Sequence, residues 1–159
     1  TDALDMLLNE NHEITYNMIT DYWKDTGTPE DIIHANKTIL ENLTADFRGK
    51  KESTVAMKGN VSVGNHTLIK NGVKINGPVI IGSNCEIYGN TVIGPNTSIG
   101  NGCIISGGKI KDSIIMDDCE IGKNVNIKNS IISSNSSIKQ NDIQDEQIFL
   151  LGEGTKILF

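Results

Sequence analysis

Only a few side chains in the sequence have the chemistry that catalysis or metal binding requires. Asp25 lies in the loop Asp25-Thr26-Gly27-Thr28 before a predicted helix, where a carboxylate could bind a hard cation such as Mg²⁺. On its position alone, it is a turn residue or a helix cap. His66 is the only histidine within the repeats described below, and an imidazole there could act as a general base in acyl transfer. Cys85, Cys103 and Cys119 are spaced by 18 and 16 residues, and together they could hold a metal ion or form a redox group.

The middle of the chain carries an uninterrupted six-residue repeat of aliphatic residues. A small or β-branched residue lies two positions before each of these anchors, so both side chains face the same side of a strand. Glycine and asparagine, which tolerate positive φ, follow most anchors. The pattern predicts short strands joined by sharp corners, with three sides of six residues in each coil of a parallel β-helix. The eight anchors are Val63, Ile69, Ile75, Ile81, Ile87, Ile93, Ile99 and Ile105.

The repeat continues beyond Ile105 with a shortened spacing. Cys85, Cys103 and Cys119 each lie two residues before an anchor, so we expect them to stack in one interior column at about 4.8 Å per coil. Free cysteine often packs as a small hydrophobic residue, and we therefore favour an interior ladder over a metal or redox site. The later anchors, five or six residues apart, are Ile110, Ile115, Ile121, Ile127, Ile132, Ile138 and Ile143.

The first 45 residues follow a different pattern. A helix is predicted over about Asp2–Glu10, and because its apolar face begins at the first residues we expect a piece of a longer protein. The alternation of Ile14, Tyr16 and Met18 predicts a strand. A second helix follows, with Thr28 as its N-cap and Pro29 in its first turn. The predicted buried stripe of this helix, which ends near Leu43, consists of Ile32, Ile33, Ile39, Leu40 and Leu43.

Composition limits the classes of function. The formal net charge is −6 and there is no basic run, which argues against binding of nucleic acid. No segment approaches the roughly 20 apolar residues that would span a bilayer, so no membrane partner is expected. Three cysteines, an odd number, argue against a disulfide framework and favour a reduced, cytoplasmic setting.

The segment Tyr22-Trp23-Lys24-Asp25-Thr26-Gly27-Thr28-Pro29-Glu30-Asp31 closely resembles the Trp-x-Asp-Thr-Gly-Thr-Pro-x-Asp segment of glucose-1-phosphate thymidylyltransferases and related sugar nucleotidyltransferases. Thr1-Asp2-Ala3 is similar to the helix that precedes this segment in that family. The Ile-Gly pairs of the repeat resemble the hexapeptide signature of left-handed β-helices, and Leu151-Gly152-Glu153-Gly154-Thr155-Lys156-Ile157 resembles the closing hairpin of the long-type members. The chain thus resembles the C-terminal part of a long-type, β-helix-bearing thymidylyltransferase.

This resemblance implies a mainly β chain, in which a single-stranded left-handed parallel β-helix follows a small α/β remnant. Residues 1–45 would be the C-terminal remnant of the catalytic domain, and residues 46–60 a linker. The β-helix would cover residues 61–143, and residues 144–159 would form a C-terminal β-hairpin tail.

The resemblance also implies the activity of the intact parent protein. Its catalytic domain joins dTTP to glucose 1-phosphate, with Mg²⁺ present, to give dTDP-glucose and pyrophosphate. Asp25 corresponds to one of the two carboxylates that hold the metal. The family's glycine-rich nucleotide loop and the second metal carboxylate are absent from this sequence, so the chain by itself is expected to be inactive.

Two other functions stay open for the β-helix. Some relatives of this family transfer an acetyl group from acetyl-CoA to a sugar amine, for which His66 would be the candidate base, although the family's other acyltransfer residues are not recognisable. Alternatively, the β-helix serves assembly or regulation, and the resemblance favours a homotrimer. The outward apolar residues that would support such packing are Ile80, Ile104, Ile114 and Ile131.

Overall fold

The computed structural model describes residues 2–20, 23–139 and 145–158. Within these ranges, two helices precede a series of short strands. The helices are α1 (Asp2–Asn9) and α2 (Pro29–Glu41). The strands are β1 (Asp46–Phe47), β2 (Lys50–Lys51), β3 (Ala56–Lys58), β4 (Val61–Val63), β5 (Leu68–Ile69), β6 (Lys74–Asn76), β7 (Val79–Ile81), β8 (Glu86–Ile87), β9 (Thr91–Ile93), β10 (Thr97–Ile99), β11 (Ile104–Ile105), β12 (Gly108–Lys111), β13 (Ile114–Ile115), β14 (Glu120–Ile121), β15 (Asn126–Lys128), β16 (Ile131–Ile132), β17 (Ser137–Lys139), β18 (Leu150–Leu151) and β19 (Lys156–Leu158).

The strands stack into three parallel sheets, each of which forms one side of a β-helix. Sheet A has the order β1-β4-β7-β10-β13-β16-β18, and sheet B the order β2-β5-β8-β11-β14-β17-β19. Sheet C has the order β3-β6-β9-β12-β15. Successive strands of one sheet lie one coil apart: Val61 pairs with Val79, and Val79 with Thr97. The predicted parallel β-helix is confirmed.

The interior consists of the repeat anchors stacked on one another. Ile69 pairs with Ile87 and Ile87 with Ile105, and all three side chains are fully buried. Burying an isoleucine side chain contributes about 1.5–3 kcal/mol, so the regular column supplies the main stabilising term of the fold. The fully buried isoleucines are Ile69, Ile75, Ile81, Ile87, Ile93, Ile105, Ile110, Ile115, Ile121, Ile127, Ile132 and Ile138.

The corners depend on residues that adopt positive φ. Asn84 and Asn90 have φ values of 59° and 61°, in the left-handed region that asparagine tolerates better than most residues. Gly108 has a φ of 87°, and a Cβ at this position would lie 2.0 Å from the carbonyl oxygen of Val125 in the next coil. Close stacking of coils therefore requires glycine at this corner.

The β-helix extends further in both directions than the sequence predicts. The expected linker, residues 46–60, contains β1, β2 and β3, which pair with β4, β5 and β6 as a first coil. The expected C-terminal hairpin is also wrong: β18 and β19 pair parallel with β16 and β17, and so continue the stack. The sequence pattern misses both coils because polar residues such as Lys51 occupy some of their anchor positions. The predicted anchor Ile143 lies outside the described residues.

The N-terminal segment agrees with the sequence in part. Helix α1 forms as predicted, and α2 begins at Pro29 after the Thr28 cap. The strand predicted at residues 14–18 does not form. The sequence further predicts a turn at Thr20-Asp21 and an extended piece at Tyr22-Trp23, of which Asp21 and Tyr22 lie outside the described residues.

The buried face of α2 also differs from the predicted one. Leu40 is buried, but Ile39 is 73% exposed, and Ile32 is exposed as well. The face turned towards the β-helix instead consists of Ile33, Asn36, Lys37 and Leu40, whose spacing of three and four residues is that of one helix side. The polar residue Asn36 lies on this face because α2 packs against β10, whose outward side chain is Ser98.

The four outward isoleucines do not form one surface. Ile80, Ile114 and Ile131 follow one another on sheet A, interrupted by Ser98. Ile104 lies on sheet B between Glu86 and Glu120. Helix α2 contacts β10 of sheet A, so part of the surface predicted to bind another copy faces the chain's own helix.

Among the described helices, neither has the length and apolar character that crossing a bilayer requires.

Candidate functional site

The loop that carries Asp25 is closed by a single carboxylate at the start of α2. The Lys24 Nζ lies 2.9 Å from Oδ1 of Asp31. The Thr28 hydroxyl donates to Oδ2 of Asp31 over 2.7 Å and accepts from the Asp31 backbone N–H over 3.2 Å. Lys24 and Thr28, which lie on either side of Asp25, are therefore both bound to Asp31 in the first turn of α2.

These contacts stabilise the charged form of Asp31. The hydrogen bonds from Thr28 and Lys24 hold the pKa of Asp31 below its ordinary value. Asp31 therefore stays ionised and acts as a structural anchor of the loop. Asp25 is exposed and makes no hydrogen bond or ion pair with the described residues, which leaves its carboxylate available to a ligand.

The Asp25 loop offers an oxygen donor of the kind that Mg²⁺ prefers. Mg²⁺ in proteins is commonly held by one or two carboxylates, with waters and substrate phosphates completing the octahedron. Asp25 suits one such position, because its oxygens are exposed. Within the described ranges, no three histidine, cysteine or acidic residues lie close enough together to form a complete site. Asp25 could thus supply one ligand of such a site.

A network of polar side chains joins α2 to the β-helix. The Asn36 Nδ2 donates to the carbonyl oxygen of Asn96 over 3.4 Å, and its Oδ1 accepts from the Ser98 hydroxyl over 2.5 Å. The side-chain amide of Asn36 therefore binds both Asn96, at a corner of the β-helix, and Ser98, on the strand that follows this corner. We call this network, Asn36 and Lys37 on α2 with Asn96, Ser98 and Asp112 on the β-helix, the α2 joint.

An ion pair completes the α2 joint. Lys37 Nζ lies 3.0 Å from Oδ1 of Asp112, which also accepts from Nδ2 of Asn96 over 2.9 Å. Partial burial raises the pKa of Asp112, but the hydrogen bond from Asn96 and the charge of Lys37 outweigh it, so the pKa is lowered. The sequence does not predict this joint. The polar residues at the inward positions of α2, Asn36 and Lys37, were the available signal.

A cleft of about 360 Å³ lies beside the α2 joint, between α2 and the last coil. Its walls are partly apolar and partly charged. The lining residues are Pro29, Glu30, Ile33, His34, Lys37, Asn129, Ile148 and Leu150.

His66 occupies the corner between β4 and β5, with a φ of 60° and an exposed side chain. It forms no hydrogen bond or ion pair with any described residue. A shallow hollow of about 270 Å³ lies on the neighbouring surface, but His66 does not line it. A general base is normally oriented by a partner and lies within reach of the proton that it removes. The structure gives His66 the geometry of an exposed corner residue.

The three cysteines stack in one interior column, as predicted. The register places Cys103 between Cys85 and Cys119, and all three are buried. Each thiol donates to a carbonyl of the next coil: Cys85 to Gly100 over 3.1 Å, and Cys103 to Met116 over 3.1 Å. The Cys119 thiol donates likewise to Ser133 over 3.2 Å.

Hydroxyl groups make the same contact above and below the cysteines. Thr67 donates to the carbonyl of Gly82 over 2.6 Å, and Ser136 donates to that of Gly152 over 3.2 Å. The column is therefore a continuous ladder of small donors. The pKa of Cys103 lies far above its ordinary value, because Cys119 and Cys85 lie on either side and because its thiol is buried.

Comparison with known proteins supports the resemblance found in the sequence. The family model described as "GMPPB C-terminal domain" matches residues 75–158. A glucose-1-phosphate thymidylyltransferase of Streptomyces antibioticus is 33% identical over 121 residues, which are 76% of this chain and 33% of that protein.

Two further relatives match a smaller part. The bifunctional protein GlmU of Methanocaldococcus jannaschii is 38% identical over 63 residues, 40% of this chain and 15% of that protein. A bifunctional sugar-1-phosphate nucleotidylyltransferase/acetyltransferase of Sulfurisphaera tokodaii is 36% identical over 76 residues, 47% of this chain and 19% of that protein. The chain thus spans a third or less of the length of these relatives. Since the family model covers more than half of the chain, the chain belongs to the GMPPB C-terminal domain family, within the sugar-1-phosphate nucleotidyltransferases.

Proposed function

We propose that this chain is the C-terminal part of a nucleotidyltransferase that converts dTTP and glucose 1-phosphate to dTDP-glucose and pyrophosphate. The observation that carries the proposal is the Asp25 loop. It presents an exposed carboxylate from a loop closed onto α2, and α2 in turn contacts the β-helix through the α2 joint. The similarity to the thymidylyltransferase of Streptomyces antibioticus, which covers 76% of this chain, favours thymidylyl transfer to a glucose phosphate.

In this proposal, Asp25 supplies one of the ligands of Mg²⁺. The metal, when bound, neutralises charge on the phosphates as the sugar phosphate oxygen attacks the α-phosphorus and pyrophosphate departs. The chain's own contribution is orientation. Lys24, Thr28 and Asp31 hold the loop, and Asp25 is exposed and takes part in no ion pair among the described residues.

The surface of residues 2–43 supports a contact with a further domain. Tyr16 is 85% exposed and Met18 77%, and the apolar residues of α1 and the outer side of α2 are exposed as well. Clustered exposed apolar side chains of this kind mark contact surfaces rather than solvent-facing ones. We propose that the rest of the nucleotidyltransferase domain covers them. Accordingly, the isolated chain would bind neither substrate productively.

For the β-helix we propose a role in assembly of the intact protein, with a cytoplasmic homotrimer as the working hypothesis. Sheet A offers Ile80 and Leu150 as exposed apolar side chains, and sheet B offers Ile104. Light scattering of the chain tests this role, because an assembly made by the β-helix would persist in this fragment and give three times the monomer mass.

The deciding experiment is pyrophosphate release by the full-length protein with dTTP, glucose 1-phosphate and Mg²⁺, compared with its Asp25→Asn variant. We expect Asp25→Asn to lose at least about a hundredfold in rate, since removal of one metal ligand impairs positioning of both phosphates. Asp118→Asn is the matched control, because Asp118 is an exposed corner carboxylate with a φ of 56° that asparagine also tolerates. Full activity of Asp25→Asn would contradict the metal role, and inactivity of the wild type with every sugar phosphate tested would contradict the function.

Acetyl transfer to a sugar amine is the second candidate function, favoured by the name of the Sulfurisphaera tokodaii relative. Release of free CoA from acetyl-CoA with an amino sugar phosphate would test it. If His66 were the base, the His66→Ala variant would lose this activity. The exposed position of His66, without a partner among the described residues, leads us to expect no acetyl transfer dependent on it.

A further inference from the structure

We propose that the β-helix positions the Asp25 loop, with α2 as the rigid connection and Asn36 as the positioning residue. This inference rests on the proposed nucleotidyltransferase function and deepens it, because it assigns the β-helix a part in the reaction beyond assembly. It names Asn36, Ser98 and Asp112 as residues that act through Asp25 without contacting substrate.

Helix α2 is attached to the β-helix through the side chain of Asn36. Asn36 uses both ends of its amide, as donor to Asn96 and as acceptor from Ser98, so its side chain is fixed in one orientation. A residue that satisfies two partners on one corner defines both the distance and the rotation of its helix. Leu40, one turn further on, is only 2% exposed and seals the same face.

An ion pair strengthens the α2 joint. Lys37 and Asp112 form a half-buried ion pair, in which Asp112 is also held by Asn96. Asn36 and Asp112 therefore share Asn96 as a common partner. Side chains within one hydrogen-bond network are coupled more strongly than isolated pairs, so the joint acts as a unit.

The first turn of α2 is bound to the loop that carries Asp25. Asp31 lies in the first turn of α2 and binds Lys24 and Thr28, on either side of Asp25. A helix transmits a displacement of one end to the other, because its backbone hydrogen bonds resist bending. Release of Asn36 from the β-helix would therefore allow Asp31, and with it the Asp25 loop, to change position.

The outer side of α2 fits this role. Ile39 is 73% exposed and Ile32 is exposed too, whereas Ile33 and Leu40 face the β-helix. An amphipathic helix in contact with one body has one apolar side. Two apolar sides place α2 between the β-helix and the domain proposed to cover residues 2–43.

The test uses the full-length protein with Asn36→Ala and Ser98→Ala, singly and combined. Each removes one half of the same hydrogen-bond pair, and Ser98→Ala leaves α2 itself unchanged. Thr38→Ala is the matched control on the same helix, because the Thr38 hydroxyl donates to His34 within α2 and makes no contact across the α2 joint. Circular dichroism with thermal unfolding checks that the β-helix is intact in every variant.

Two measurements decide the proposal. The first is hydrogen exchange of backbone amides in residues 24–33 without metal or nucleotide, which we expect to be several-fold faster in Asn36→Ala and Ser98→Ala. The second is the Mg²⁺ concentration for half-maximal pyrophosphate release. We expect this to rise about fivefold in Ser98→Ala, which loses one hydrogen bond, and at least as much in Asn36→Ala, which loses two. The change in the double variant should be less than additive, because both substitutions remove the Asn36–Ser98 bond.

The outcomes separate the two proposals. If the wild type transfers nucleotide but Asn36→Ala and Ser98→Ala match Thr38→Ala in exchange and in Mg²⁺ requirement, the positioning role is overturned. If both variants lose stability of the β-helix without faster exchange near Asp25, the α2 joint is structural and the positioning role fails. If the wild type is inactive, the proposed function fails, and exchange alone still shows whether the joint controls the loop.

Discussion

The β-helix and the N-terminal segment of residues 2–43 bury their apolar side chains in different ways. In the β-helix, successive anchors are buried at 0–3%, and each is covered by the equivalent residue of the next coil. In the N-terminal segment, Leu40 is the only fully buried apolar residue among those described, and it is covered by the β-helix. Met18 and Ile39, by contrast, are more than 70% exposed.

This difference has a physical cause. A coil of a β-helix is stabilised by its neighbours along the axis, so the chain supplies every partner from its own repeat. Helix α1 and the outer side of α2 expose apolar side chains, whereas the inner side of α2 contacts the β-helix. The N-terminal segment therefore exposes the apolar surface that the proposed contact with a further domain would cover.

The largest expected effect comes from the interior of the stack. Ile105→Ala removes a side chain that is fully buried between Ile87 and Ile121, and we expect a loss of about 2–5 kcal/mol in the free energy of unfolding. Its neighbour Ile104 points outward and is 41% exposed, so Ile104→Ala should cost much less. Urea unfolding followed by circular dichroism measures both. Equal losses in the two variants would contradict the assignment of inward and outward positions.

The central part of the fold could be predicted because its pattern is repeated. Ile69, Ile87 and Ile105 are equivalent anchors of successive coils, so each one supports the six-residue spacing that the others indicate. The first and last coils are not predicted, because Lys51 stands opposite the anchor Ile69 and Gln147 opposite the anchor Ile127. Lys51 lies at the open end of the stack, with its ammonium 5.9 Å from the ring centre of Phe47, an arrangement that hydrophobic periodicity does not reveal.

A smaller effect is expected in the cysteine column. Cys103→Ser keeps a donor towards the carbonyl of Met116, as Thr67 and Ser136 do in their own coils, but loses apolar contact in the interior. We expect a loss of about 1 kcal/mol in the free energy of unfolding. Native mass spectrometry with added Zn²⁺ distinguishes the ladder from a metal site. A stoichiometric zinc ion in the wild type that is lost in Cys103→Ser would contradict the ladder.

The candidate site could be predicted only in part. The position of Asp25 before a capped helix follows from Thr28 and Pro29, which are local signals. The α2 joint brings Asn36 to Asn96, sixty residues away, and no local pattern contains that contact. The same limitation explains why Ile32 and Ile39 were assigned to the buried face of α2: periodicity defines an apolar side but not which body covers it.

The smallest expected effect concerns the outer side of α2, compared with the side that faces the β-helix. Ile39→Ser replaces a side chain that is 73% exposed, so the free energy of unfolding of this chain should change by less than about 0.5 kcal/mol. Leu40→Ser, one residue away but facing the β-helix, should release α2 and is the matched comparison. Thermal unfolding and hydrogen exchange of α2 measure both in this chain. In the full-length protein, Ile39→Ser should instead be destabilising, because the proposed domain contact would bury it. A neutral result there would place Ile39 at a solvent-facing surface and remove the contact region from the outer side of α2.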